Sequence, residues 1–187
     1  GHGYPTPPFE INDQQWIATD KRTIGTGAGY AYATWTSFVD LNGDGSPDTY
    51  HILFSRSIDG GATFSPPIQV SDSGNWANRF SRVAVGPNGE VYVSWINWNN
   101  PTPRILFDKS TDYGASFGTD IEVQSFDQIP NLQYIQRTPP SISVAVDTSG
   151  GAYNGYIYIA YPVNPPSTTD SSDIMFTRSI NGGATWS

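Results

Sequence analysis

The sequence has no cysteine, one methionine (Met175), two histidines (His2, His51), two lysines (Lys21, Lys109) and three glutamates (Glu10, Glu90, Glu122). Without cysteine there are no disulfides and no thiolate metal sites. Two scattered histidines do not assemble an imidazole-based catalytic or metal centre. Nine basic against 17 acidic residues, a net charge of −8 and a pI near 4.4 exclude the clustered Lys and Arg that a phosphate backbone requires, so nucleic acid is not an expected partner. No apolar run approaches the roughly 18 to 20 residues of a spanning helix. No membrane span is expected, and no signal-peptide pattern opens the chain. Nucleophile elbow, P-loop, dinucleotide fingerprint and zinc spacing are all missing.

What is present suits strands. The 187 residues are 37% hydrophobic and 14% aromatic, enough for a core, and 19 glycines and 15 prolines punctuate short apolar runs. No window sustains a helical period, so the chain reads as all-β. Abundant Ser, Thr, Asn, Gly and Tyr with little Lys is the composition of a mature extracellular protein, secreted or held at the cell surface.

One stretch recurs three times without a gap: Phe54 to Phe64, Phe107 to Phe117 and Phe176 to Trp186. Each copy starts on an apolar triplet ending a strand (Ile52-Leu53-Phe54, Ile105-Leu106-Phe107, Ile174-Met175-Phe176). A basic residue follows (Arg56, Lys109, Arg178), then a Ser, an Asp or Asn, a Gly and a closing aromatic. These are Ser57, Asp59, Gly61 and Phe64; Ser110, Asp112, Gly114 and Phe117; Ser179, Asn181, Gly183 and Trp186. Asp and Asn accept backbone N–H bonds locally and Gly supplies positive φ, so the chemistry is that of a self-bonded turn whose aromatic folds back. The turns are 53 residues apart from Ser57 to Ser110 and 69 from Ser110 to Ser179, which is a repeat architecture.

Ahead of each turn lie two further strands. First strands run Trp16 to Asp20, Arg82 to Gly86 and Ser143 to Asp147; second strands run Tyr30 to Trp35, Glu90 to Trp95 and Tyr156 to Tyr161. With a strand after the turn, each unit is a four-stranded antiparallel meander, a propeller blade. The expected division is an orphan fourth strand at 7–12, blade units at 13–71 and 72–124, and a unit at 125–187 lacking its fourth strand. Three blades do not close a ring, so either a longer polypeptide or self-association of copies is expected to complete the propeller, Ser187 running toward Pro7-Pro8 of a neighbour.

The pattern Ser-x-Asp-x-Gly-x-Thr-Phe/Trp resembles the Asp box, or BNR repeat, of the sialidase-like propeller superfamily, over essentially Pro7 to Ser187. The resemblance implies a β-propeller whose Asp boxes sit at the blade periphery, away from the active site, and so are structural. Asn181 in place of Asp, and Tyr113 where the other copies have Gly60 and Gly182, depart from the pattern.

Two constellations point to function. Asp40 to Asp48 places side-chain oxygens at positions 1, 3, 5 and 9 with Gly45 at 6, a spacing that wraps one loop around a hard cation such as Ca²⁺, or forms a merely acidic turn. It is similar to the loops of integrin-type propellers and dockerins, which implies Asp40, Asn42, Asp44, Asp48 and the Ser46 carbonyl as ligands; His51 holds the twelfth position. The loops before first strands and between second and third strands share one face, carrying Trp76, Trp98, Phe126 and Tyr134 among Asn75, Asn78, Asn97, Asn99 and Asn100. These rings either stack on sugars or a protein partner, or cap the blades' own core. Arg79, Arg82 and Arg137 lie nearby; Arg82 and Arg137 read as partners of strand-edge carboxylates rather than as a substrate clamp, and Arg137 is also a candidate ligand contact. The three arginines, Tyr-Glu nucleophile and Asp acid/base that a sialidase requires are not demonstrable. The reading is therefore a secreted, calcium-binding, non-catalytic module that binds a glycan or an extracellular protein, or assembles. The alternative is a fragment of a sialidase-like glycoside hydrolase.

Overall fold

The computed structural model describes residues 8–74, 77–98, 102–129, 141–166, 170 and 172–187. Eleven strands make three antiparallel sheets, and no helix occurs among these residues. The first sheet is β1 (Glu10–Thr19), β2 (Ala31–Val39), β3 (Thr49–Ser57) and β4 (Ile68–Gln69), paired in that order. The second is β5 (Asn78–Val85), β6 (Val91–Asn97), β7 (Arg104–Ser110) and β8 (Ile121–Ser125), and the third is β9 (Ser143–Val146), β10 (Ile157–Val163) and β11 (Asp173–Ser179). The described residues thus form three propeller-like blades that do not close a ring. β1, β5 and β9 lie side by side as the innermost strands.

The registers superpose the three repeats. Trp35 faces Leu53, Trp95 faces Leu106 and Tyr161 faces Met175 across the same pair of strands in successive blades. Sheets packed face to face bury alternate residues of each strand, and the core is two such seams. Tyr32, Ile52 and Phe54 of the first blade meet Val91, Val93, Trp95 and Leu106 of the second. Tyr92, Ile96, Ile105 and Phe107 of the second meet Ile157, Ile159 and Tyr161 of the third. Being covered on both faces, β6 is buried at all seven positions, whereas β11 is exposed at five of its seven.

The expected orphan strand at 7–12 is corrected by the register. Glu10, Ile11 and Asn12 pair with Val39, Phe38 and Ser37, so they form the leading half of β1. A bulge between Asp13 and Trp16 lets one strand run through, with Gln14 at φ 61° absorbing the extra residue. β5 has the same device between Arg79 and Arg82, with Phe80 at φ 60°. The two bulges are joined, since Gln14 Oε1 accepts the Phe80 N–H at 3.1 Å and the Thr36 hydroxyl at 3.2 Å.

Candidate functional site

The three repeated turns have one internal geometry. Ser57 donates its hydroxyl to Asp59 at 2.7 Å and accepts the Gly61 N–H at 2.8 Å, while Asp59 takes the Thr63 N–H and hydroxyl at 2.9 and 2.6 Å. Ser110, Asp112, Gly114 and Ser116 repeat these bonds at 2.6, 2.8, 3.0 and 2.6 Å. In the third copy Ser179, Asn181, Gly183 and Thr185 keep the first three, and the last reverses: the Asn181 amide donates to the Thr185 hydroxyl at 2.9 Å. Asparagine therefore serves because an amide supplies one acceptor and one donor where aspartate supplies two acceptors. The Thr63 hydroxyl and N–H, followed by Ser57, hold the Asp59 carboxyl at about 2. For Asp112 burial pushes the other way, but the bonds from Ser110, Ser116 and Ala115 outweigh it and leave it at about 2. Both oxygens of each carboxylate are engaged by the turn itself.

The turn's function is to join blades. Phe117 packs edge-on against Phe54 of the preceding blade at 4.8 Å, and Trp186 against Phe107 at 5.2 Å. Phe64, in the turn of the first blade, is 44% exposed. Tyr113, in the left-handed region at φ 59°, is held by the Arg22 guanidinium over its ring at 5.6 Å and by Arg56 donating to its carbonyl at 3.0 Å. Arg22 is itself fixed to buried Asp20 at 2.6 Å and reaches the Asn88 carbonyl at 2.9 Å, so a packed inter-blade contact compensates the strain of the departure from glycine.

Asp40 to Asp48 closes on itself. Buried Asp40 accepts the N–H groups of Gly43 and Gly45 at 2.7 and 3.1 Å, Asp44 that of Ser46 at 2.8 Å, and Asp48 those of Leu41 and Asn42 at 2.6 and 3.1 Å. The Asn42 amide bridges Asp44 and Asp48, donating at 3.2 and 3.0 Å. The all-oxygen donor set suits a hard cation. Among the described residues no three carboxylate or imidazole groups are gathered closely enough to cage one.

The loop-face residues separate into two kinds. Trp76, Tyr134 and Arg137 lie outside the described residues, as do Asn75, Asn99 and Asn100. Phe126 is buried against Tyr161, and Trp98 packs on the same core with its backbone N–H donated to the Ala77 carbonyl at 2.9 Å. Asn78 and Asn97 are buried as well: Asn78 Oδ1 accepts the Trp95 indole N–H at 2.9 Å and the Asn97 amide at 2.8 Å. They complete the core of the second blade.

Partly exposed chemistry gathers instead at the β5 bulge. The Arg79 guanidinium lies 4.5 Å from the Tyr50 ring and 5.5 Å from Phe38, and the Arg82 guanidinium 4.4 Å from Trp16. Arg82 is not the partner of a strand-edge carboxylate: among the described residues the ion pairs are Arg22 with Asp20 and Arg104 with Glu122. Burial alone pulls the Arg82 pKa down, and its side chain donates to the Ser81 carbonyl at 2.8 Å. Trp16 is 47% exposed. Two arginines are thus steadied by aromatic faces, with N–H groups to offer an anion. Trp16 and Arg82 occupy equivalent registers, opposite Thr34 and Ser94, so the pairing of one blade's ring with the next blade's cation is legible once the repeats are aligned. The three glutamates are engaged elsewhere: Glu10 accepts the Ser37 hydroxyl, Glu90 the Asn88 amide and N–H, and Glu122 pairs with Arg104.

No family model and no curated protein matches the chain. Solved structures resemble it. A Hadza microbial sialidase aligns with a TM-score of 0.60 at 16% identity, over 95% of this chain and 33% of its own. A Dyadobacter fermentans protein of unknown function aligns at 0.61 and 14% identity, over 99% of this chain and 55% of its own. The leech intramolecular trans-sialidase, complexed with 2,7-anhydro-Neu5Ac, aligns at 0.51 and 18% identity, over 80% of this chain and 20% of its own. The fold is sialidase-like, and the chain spans from one fifth to about half the length of these structures.

Proposed function

We propose that this chain is a non-catalytic, extracellular glycan-binding segment of an Asp-box propeller, and that it recognises an acidic sugar on Arg79, Arg82, Trp16 and Tyr50. The observation that carries the reading is the pair of arginines stacked on aromatic rings with no carboxylate partner among the described residues. A guanidinium binds a carboxylate through two parallel N–H bonds, and a half-exposed indole offers a face to a sugar ring. The sialidase-like fold, and the anhydro sialic acid held by the leech enzyme, agree with that choice. Titration with 3'-sialyllactose, followed by NMR or calorimetry, is expected to show binding that neutral lactose lacks. Arg79→Gln or Arg82→Gln should each weaken it about tenfold or more, since a charge-assisted hydrogen bond is worth ~1.5–3 kcal/mol. Equal binding of lactose would sink the proposal, and release of free sialic acid would favour the glycoside hydrolase fragment instead.

The loop at 40–48 is proposed to take Ca²⁺ through Asp40, Asn42, Asp44, Asp48 and the Ser46 carbonyl, with the Asn42 side chain turning its oxygen inward. Calcium would then raise the melting temperature relative to EDTA by a few degrees, and Asp44→Ala would erase the difference. An identical melting temperature in both buffers counts against the site.

A second reading, assembly by self-association, is favoured by the outer faces. Phe54 and Phe107 are fully buried at the two internal seams, while Phe176, their counterpart in the third blade, is 69% exposed, and so in part is Phe64. A neighbouring copy that set its Phe64 turn on Phe176 would repeat the internal joint. Light scattering is expected to give at least a doubled mass, reduced to one chain by Phe176→Asp; a monomer at every concentration ends this reading.

A further inference from the structure

In β3 and β11 a hydroxyl closes the hairpin of the repeated turn: Ser55 donates to the Ser65 carbonyl at 2.6 Å, and Thr177 to the Ser187 carbonyl at 2.8 Å, each ten residues on. The second blade has Asp108 at this place, as the registers Ala33 with Ser55, Val93 with Asp108 and Ile159 with Thr177 establish. Its corresponding carbonyl, ten residues on, is that of Gly118. Asp108 is 1% exposed. One oxygen, Oδ1, accepts the N–H groups of Lys109 and Gly118 at 2.6 and 3.1 Å. The other, Oδ2, is buried and has no hydrogen-bond partner among the described residues.

The surroundings do not favour charge there. Asp72, from the connection between the first two blades, and Asp120, from the segment leading to β8, both act on Asp108 with its own sign. These two are cross-bonded, the Asp72 N–H to Asp120 at 3.1 Å and the Asp120 N–H to Asp72 at 3.0 Å. Two basic groups are committed elsewhere. Lys109, next to Asp108 in the chain, donates to the Gly182 carbonyl, and Arg56 of β3 donates to the Asp112 and Tyr113 carbonyls.

We propose that Asp108 is a neutral carboxylic acid in the folded protein in mildly acid solution, standing where Ser55 and Thr177 carry their hydroxyls, and that its ionisation loosens the joint between the first and second blades as pH rises. An unpaired buried carboxylate is disfavoured and neutralises, which is the physical source of the device. Burial, the largest influence, raises the pKa from 3.8 to about 6 against the pull of the Lys109 and Gly118 N–H groups. The folded form therefore holds a proton that the unfolded chain has released between these two values. Stability from this group is complete below 3.8, falls as pH rises through the window to about 6, and stays at its reduced value above it.

The test uses the whole chain. In ¹³C NMR the Asp108 carboxyl carbon is expected to titrate near pH 6, well apart from the exposed aspartates. Melting curves between pH 4 and 8 should show Asp108→Thr gaining stability over the wild type only as pH rises, with the two converging toward pH 4. An Asp108 carboxyl that titrates below about 4.5 overturns the proposal even if no variant folds. So does a wild-type-minus-variant difference that is flat in pH.

Discussion

Replacing Gly183 by alanine is expected to lower the melting temperature by about 10 °C. The residue sits at φ +88°, and a Cβ built there would lie 2.2 Å from Cε1 and 2.6 Å from Cζ of Phe107. That ring is fully buried, stacked on Tyr92 at 5.6 Å and met edge-on by Trp186, so it has no direction in which to yield. The left-handed backbone costs a non-glycine residue ~1–2 kcal/mol and overpacking ~1–3 kcal/mol more. At roughly 2–4 °C per kcal/mol for a chain of this length, the sum reaches about 10 °C. Gly61 is the internal control, with φ +93° and nothing within 4 Å of its Cβ position, so Gly61→Ala retains only the backbone part, about 1–2 kcal/mol. Gly114→Ala, whose Cβ meets the Phe54 ring at 2.8 Å, should behave like Gly183→Ala. Calorimetric melting of the three variants decides the matter, and equal losses at Gly61 and Gly183 would refute the packed joint.

Phe107→Ala should be the most damaging single truncation, at about 3–5 kcal/mol, since a buried phenyl loses both its transfer free energy and the contacts around the cavity it leaves. Its ring bridges Tyr92 within its own blade and Trp186 of the next. Phe176→Ala removes the same side chain from the same place in the repeat, yet at 69% exposure it should cost under about 1 kcal/mol in the single chain. Urea unfolding reads both. Comparable losses for the two variants would mean that the third blade's outer face is covered in solution, and a concentration dependence of the Phe176 effect would assign that cover to a second copy.

Much of the turn's geometry is legible in the sequence. Ser, Asp or Asn, and Gly at fixed offsets have short-range partners, so the bonds from Ser57 to Gly61, Ser110 to Gly114 and Ser179 to Gly183 follow from chain proximity. The second strands are legible locally too, expected from Tyr30, Glu90 and Tyr156 and found from Ala31, Val91 and Ile157. The N-terminal strand was misplaced because a bulge at Gln14 breaks the period, and the residues beyond it then look like a separate element. The asparagines expected among the loop-face rings include two core groups: Asn78 and Asn97 are drawn inward, Asn78 by the Trp95 indole 17 residues away in the chain and Asn97 by Asn78. Arg82 was paired in expectation with a carboxylate, and in the fold it lies on Trp16, a partner supplied by a different blade.

The three copies of the opening triplet draw the boundary most sharply. Phe54, Phe107 and Phe176 share a local sequence, a strand position and a turn, and all of that was settled by residues within ten of each one. Whether the ring is a core residue or a surface is decided by the sheet laid against it: Phe54 and Phe107 are wholly covered and Phe176 is 69% exposed. Hydrogen-bonded turns are local, and the sequence determines them. Burial depends on which blade stands beside which, so the joints, the Arg79 and Arg82 surface and the protonation of Asp108 belong to the tertiary structure alone.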